Sequence, residues 1–142
     1  MQLTPEQNNA IAVRFFDSVW NKGDFSVLDE LIHPEAVDHS TVGGKEKTDP
    51  GSGSFRQIVS MFRGAMPDVA LTIHHEVFMN DLVVHRWSIK GTDIAGMMGL
   101  SATGKEITFG GTTVVRFRDG KIIERWANVD ELGLQQQLGI IA

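Results

Sequence analysis

Three positions carry groups suited to moving a proton or holding an oxyanion: His39, Arg86 and Asp130. His39 follows Asp38, and an imidazole beside a carboxylate can shuttle a proton near neutral pH. The same pair at a strand end also serves as a cap. Arg86 lies in a strand-like run. Facing a pocket, it is a fixed cation that stabilises an enolate or binds a carboxylate; facing outward, it is an ordinary cross-strand partner. Alternation places Val83, His85, Trp87 and Ile89 on the more apolar face, which puts Arg86 on the other. Asp130 opens a short helical run, so a carboxylate at a pocket mouth and a helix N-cap are both open roles for it.

Other chemistries fit poorly. His74 and His75 are adjacent, so in a regular strand they point to opposite faces, and His33, His39 and His85 lack metal-ligand spacing. No metal site is expected. Gly43-Gly44 and Gly51-Ser52-Gly53 lack the Gly-Lys-Ser/Thr ending of a phosphate loop, and no Gly-x-Ser-x-Gly elbow occurs in strand–turn–helix context. The chain has no cysteine, which removes thiolate chemistry, and no tyrosine, which removes a phenolic oxyanion holder.

The elements that must position these groups are readable in order. Thr4-Pro5-Glu6-Gln7 is a capping box with Pro at N1, leading a helix that carries Ile11, Phe15, Phe16, Val19 and Trp20 and stops at Asn21-Lys22-Gly23. Asp24 caps a second, short helix ending at His33-Pro34, and Glu35 to Ser40 suits a short strand. Thr41 to Ser54 reads as a mobile loop. Phe55, Ile58, Val59 and Phe62 follow helical spacing and stop before Pro67. Then come strands: Val69 to Met79 and Leu82 to Ile89 around Asn80-Asp81, an irregular Gly91–Gly104 connection, and Ile107 to Arg118 and Lys121 to Val129 around Asp119-Gly120. A helix from about Glu131 to Leu138 closes at Gly139.

Helices followed by a four-strand antiparallel meander define an α+β fold, with a curved sheet wrapped around a helix to enclose a pocket. Residues 1–142 form a single domain, its 142 residues being enough for a core and a ligand cavity. Phe15, Asp38, Trp87, Met97, Phe109 and Trp126 are the candidates to line that cavity, with core packing the alternative for the apolar ones. The formal charge is −5 and no basic cluster occurs, which argues against a nucleic-acid partner. No run is long enough to span a bilayer, and the start lacks a signal-peptide pattern. A soluble, cytoplasmic protein is expected.

The ordered set Phe15-Phe16-Asp17, Trp20-Asn21-Lys22-Gly23-Asp24, Leu31-Ile32-His33-Pro34, Arg86-Trp87, Gly91-Thr92, Thr103-Gly104-Lys105, Arg116-Phe117, Asp119-Gly120-Lys121-Ile122, Trp126, Asp130 and Gln137-Leu138-Gly139 resembles the SnoaL-like polyketide (ester) cyclases. These belong to the NTF2-like superfamily of cystatin-like α+β cones. The resemblance spans nearly the whole chain and implies cofactor-free intramolecular aldol closure of a polyketide methyl ester, with an aspartate as base. Aligned on the Asp-Gly-Lys turn and the Gln-Leu-Gly ending, that aspartate falls on Ala127. Its two polar partners fall on Gly111 and Thr113, and a recurrent family histidine on Asp93.

Two readings follow. One is a cyclase or isomerase-type enzyme, its acid–base work moved to His39, Arg86 and Asp130. The other is a non-catalytic binder of a small hydrophobic or aromatic molecule. An epoxide hydrolase, needing an Asp-Arg-Asp set around a water, ranks third. In each case no cofactor is expected, and a homodimer through the outer sheet face is.

Overall fold

A computed structural model describes residues 2–39 and 50–142; most of the Thr41–Ser54 segment, expected to be a loop, lies outside the described residues. The chain runs α1 (Pro5–Arg14), a π-helical continuation (Phe15–Asn21), a 3-10 turn (Phe25–Val27), α2 (Leu28–Leu31), β1 (Ile32–Asp38), α3 (Gly53–Ala65), β2 (Ala70–Met79), β3 (Leu82–Thr92), β4 (Glu106–Arg118), β5 (Lys121–Val129) and α4 (Glu131–Leu138).

Thr4 accepts from the Gln7 amide and Gln7 returns a bond to Thr4, so the expected capping box starts α1. The helix then widens into a π segment, and Phe15, Phe16, Val19 and Trp20 are all buried there. Gly23 ends it at φ 69°, where a Cβ would lie 2.6 Å from Arg63 Nε. Arg63 Nη1 in turn donates to the carbonyls of Trp20 (2.7 Å) and Asn21 (3.2 Å), closing the helix end. Across the cone, Phe62 of α3 stands 5.8 Å from Trp20 and 5.3 Å from Phe109 of β4, ring centre to ring centre.

The sheet departs from the expected four-strand antiparallel meander. It has five strands in the order β1-β5-β4-β3-β2, and β1 runs parallel to β5. The expected Glu35–Ser40 strand starts earlier, at Ile32, because α2 stops at Leu31. Its register jumps between Ile32 and Val37, around Pro34, which has no amide hydrogen to give and is tolerated on an edge strand. A second irregularity lies in β2 between Ile73 and His75. That bulge puts both histidines on the outer face instead of opposite faces: His74 bonds Ser88 Oγ and His75 bonds Arg86 Nε.

Asn21, at the end of the π segment, ties the β2 edge of the sheet to the helical layer. Asn21 Nδ2 donates to the Leu71 carbonyl (3.1 Å) and its Oδ1 accepts from the Leu71 amide (2.7 Å). No helix among the described residues is long and apolar enough to cross a membrane. Replacing Asn21→Ala removes both bonds and leaves two half-buried backbone groups without partners, which should lower unfolding stability by about 2 kcal/mol. A urea titration checks this, an unshifted midpoint being the contrary result.

Candidate active site

Two neighbouring cross-strand rows on the inner face carry the buried polar groups. One row is Glu76, His85, Thr113 and Ala127; the next is Val83, Val115, Arg125 and Asp38. Asp38 and Arg125 have side-chain exposures of 0% and 5%. Arg125 Nη1 lies 3.2 and 3.3 Å from the two Asp38 oxygens, and its guanidinium sits 5.6 Å from the centre of the Phe55 ring. A guanidinium held this way, away from water, keeps its orientation and would act on a neighbouring oxyanion far more strongly than it would in solvent.

Trp87 Nε1 donates to Thr113 Oγ1 at 2.7 Å. The indole lies across Gly111, where a Cβ would come within 2.7 Å of the ring. So Gly111, the first of the two positions expected to carry the family's polar partners, is covered by Trp87, and the second, Thr113, is bonded to the same indole.

His85 is buried, with Nε2 2.7 Å from Asn9 Oδ1, while Asn9 Nδ2 donates to Glu76 Oε1 at 3.3 Å. With the Asn9 oxygen turned to the ring, the fitting tautomer carries its proton on Nε2. Burial pushes the His85 pKa below 6.5, opposed in part by the Glu76 charge, so the imidazole is neutral at pH 7.

Two enclosed cavities of about 10 Å³ each, room for roughly one water, lie along these rows. The first is bounded by Phe15, Phe16, His85, Thr113 and Arg125. The second is bounded by Trp20, Phe62, Trp87, Phe109, Ala127 and again Arg125, which among the described residues is the one that borders both. Trp20 Nε1 is buried and has no hydrogen-bond partner among the described residues. A separate open groove of about 350 Å³ lies outside the cone, where Arg116 is paired with Asp81 (2.9 Å) and Glu124 (3.3 Å).

The residues picked out from sequence are divided by this geometry. Phe15, Asp38, Trp87 and Phe109 face the interior, and Met97 is buried in the core without bordering either cavity. Arg86 is exposed on the outer face, as alternation required, with its Nε on His75. His39 follows the inward Asp38 and therefore turns outward, stacked on Trp126 at 5.0 Å with Nε2 3.1 Å from Glu124 Oε2. Trp126 is outward for the same reason, between Arg125 and Ala127. Asp130 is exposed and caps α4 through Gly133 N at 2.9 Å. His39, Arg86 and Asp130 thus do not converge on one cavity. Asp93, at the recurrent histidine position, is buried and organises its loop by accepting from Gly96 N and from Thr103 N and Oγ1. Among the described residues no cluster of three or more His, Asp or Glu could hold a metal.

Arg125 and His85 are the groups that sequence reasoning passed over. His85 had a signal, a titratable side chain alternating with Val83, Trp87 and Ile89. Arg125 had a weaker one, because Ile122 and Ile123 are both buried and break the alternation of β5.

A model of the SnoaL-like polyketide cyclases matches residues 10–138. The chain belongs to the SnoaL-like polyketide cyclase family. Similar solved structures include IdmH, a proposed polyketide cyclase from Streptomyces antibioticus (29% identity, 94% of this chain and 99% of that one, TM-score 0.79). Another is a proposed polyketide cyclase from Acidithiobacillus ferrooxidans (28% identity, 96% of each chain, TM-score 0.82). AclR, a proposed hydroxylase from Streptomyces galilaeus, shares the fold at 23% identity (98% of this chain and 100% of that one, TM-score 0.84). No curated protein matches significantly. The family, with the two cyclase-like neighbours at 28% and 29% identity, supports a cyclase or isomerase type of function.

The neutral state of His85 has a consequence for stability. As pH falls from 6.5 to the lowered pKa, the unfolded chain binds a proton that the folded chain refuses, so stability drops across that window and levels off below it. His85→Gln, which keeps a donor for Asn9, should lose less urea resistance than the native chain between about pH 7.5 and about pH 5.5. Equal losses in the two proteins would assign the effect to another group.

Proposed function

We propose that this family member is a cofactor-free acid–base catalyst of the cyclase or isomerase type, acting on a carbonyl-containing, polyketide-like aromatic molecule. The observation that carries the reading is the buried Arg125–Asp38 pair at the junction of the two cavities. In an intramolecular aldol closure a base takes an α-proton, the enolate carbon bonds to a second carbonyl carbon, and the new alkoxide takes the proton back. Negative charge develops on the enolate oxygen and then on the alkoxide while the base holds the proton. Arg125 is the fixed cation that favours each oxyanion, and Asp38 holds its guanidinium in place. Phe15, Trp87 and Phe109 supply the apolar and aromatic wall that a small hydrophobic ligand needs.

The earlier alternative, a binder without turnover, is favoured by Ala127 at the family's aspartate position. The homodimer also remains a proposal, supported by exposed Val77 and Met79 on the outer face of the sheet, and light scattering of the purified chain tests it.

The test is conversion of an aromatic polyketide methyl ester with a β-keto side chain to an isomeric ring-closed product, followed by chromatography and mass spectrometry. Arg125→Met should lower kcat/KM by about 100-fold or more. It also leaves Asp38 buried without its counter-charge, destabilising the fold by about 3–5 kcal/mol. The double variant Arg125→Met with Asp38→Leu should recover most of that stability and none of the turnover. Recovery of turnover in the double variant would reduce the pair to a structural role, and ligand-induced thermal stabilisation without product in the native chain would favour the binder.

A further inference from the structure

We propose that the interior of the cone is entered through the connection between β3 and β4, residues 93–105, with Met97 as a removable plug whose withdrawal admits a flat apolar molecule beside Phe62 and Phe109. The proposal rests on the reading of that interior as a ligand site. It supplies what cavities with room for roughly one water each leave open, a route and a volume for the ligand.

The connection is anchored to the core at one point. Between residues 94 and 105, Met97 is the one buried side chain, at 4% exposure; the others are exposed or half-buried, Ile94 and Leu100 at 60% and 40%. Its base is closed by buried Asp93, which gives its amide to the Lys105 carbonyl and takes the Gly104 amide on its own carbonyl. The Asp93 carboxylate accepts from Gly96 N and from Thr103 N and Oγ1, each at 3.0 Å. The Ala65 carbonyl at the end of α3 takes the amides of Ile94 and Ala95, at 3.0 and 3.3 Å. A segment with so few buried apolar contacts belongs to the low-stability end of a fold, where local opening costs less than global unfolding.

The anchor is held by a turn that its own sequence opposes. Leu100 N donates to Met97 O at 3.0 Å, and the residues between them, Met98 and Gly99, have φ of 55° and 75°. Two successive positive φ values are the pattern of a type I′ turn, whose first central position favours Asn, Asp or Gly. A methionine carries a steric penalty in that left-handed region, so the closed turn is poised to release its neighbour Met97.

The place of the anchor gives its withdrawal a consequence. The second cavity is bordered by Ile89 of β3, its cross-strand partner Phe109 of β4, and Phe62 of α3. Further along each element toward the connection come Gly91, its partner Ile107, and Ala65 with Met66, all buried. The connection begins and ends just beyond this layer and is bonded to Ala65, so Met97 enters the core at the same end. The other residues of the layer are fixed by strand ladders and helix turns, whereas Met97 comes from an irregular segment. Its withdrawal leaves an apolar hole beside the second cavity, and an apolar hole of side-chain size stays dry and takes up a single aromatic ring. Arg125 borders the cavity beyond.

Acrylamide quenching of the interior indoles tests the route. In a Trp126→Phe background the remaining tryptophans, Trp20 and Trp87, both border the second cavity. Met97→Ala, checked by circular dichroism for an intact fold, trims the plug and should raise the quenching constant about threefold or more. Met98→Asn, at an exposed position, suits the turn; it should lower the constant and slow hydrogen exchange of the Ile94, Gly96, Leu100 and Thr103 amides by about threefold. In the native chain these amides should share one protection factor, unaffected by low urea and smaller than those of the β4 core. Saturating toluene should raise the thermal unfolding midpoint of Met97→Ala more than that of the native chain. Equal quenching in the native and both variant chains, amides that exchange only with the β4 core, or equal toluene shifts would each overturn the proposal, and Met98→Asn decides alone if Met97→Ala does not fold. No readout here needs turnover, so failure is separable from that of the parent reading. Opposite shifts in quenching without closure of the polyketide ester leave the entry route and remove the catalyst; closure with unshifted quenching does the reverse.

Discussion

Taking a guanidinium and a carboxylate out of water costs several kcal/mol for each ion, and the attraction between them offsets this only when geometry and surroundings are right. Arg125 and Asp38 meet that demand where the edge strand β1 joins β5. Much of the interior is arranged around them. The parallel pairing brings Asp38 opposite Arg125, and the alternation of β1 and β5 then sends His39 and Trp126 outward together, where they stack. The Phe55 ring beneath the guanidinium ties the start of α3 to the same point. A well-packed apolar pair of similar volume often gives comparable or greater stability, so fold stability alone does not account for the ion pair.

Ala127 and Gly111 are both small where the resemblance implies polar side chains. The Trp87 indole, itself part of the matching set, lies over Gly111 and gives its N–H to Thr113. His85 is one position along its row from Thr113.

Local signals carried most of the fold. The capping box at Thr4, the helical spacing of Phe55, Ile58, Val59 and Phe62, and the Asp119-Gly120 turn each act within a few residues, and each appears where expected. What escaped was non-local or out of phase. β1 finds a parallel partner more than eighty residues away, which no local pattern encodes. The irregularities between Ile73 and His75 and between Arg116 and Phe117 each shift the inside–outside count, so His74-His75 and Arg125 could not be assigned to a face by alternation. Ionisable residues were legible as chemistry, but convergence in space was not, and His39, Arg86 and Asp130 separated for that reason.

The Asn21 clamp on Leu71 also bears on how this chain behaves among its neighbours. β2 is a free edge, and an exposed row of amides and carbonyls is a template for a strand from another molecule. Asn21 already occupies both backbone groups of Leu71, and the bulge at His74 interrupts the row just beyond. The regular stretch that remains, toward exposed Val77 and Met79, is short. A side chain that ties the helical layer to the sheet thus doubles as a guard against edge-to-edge pairing.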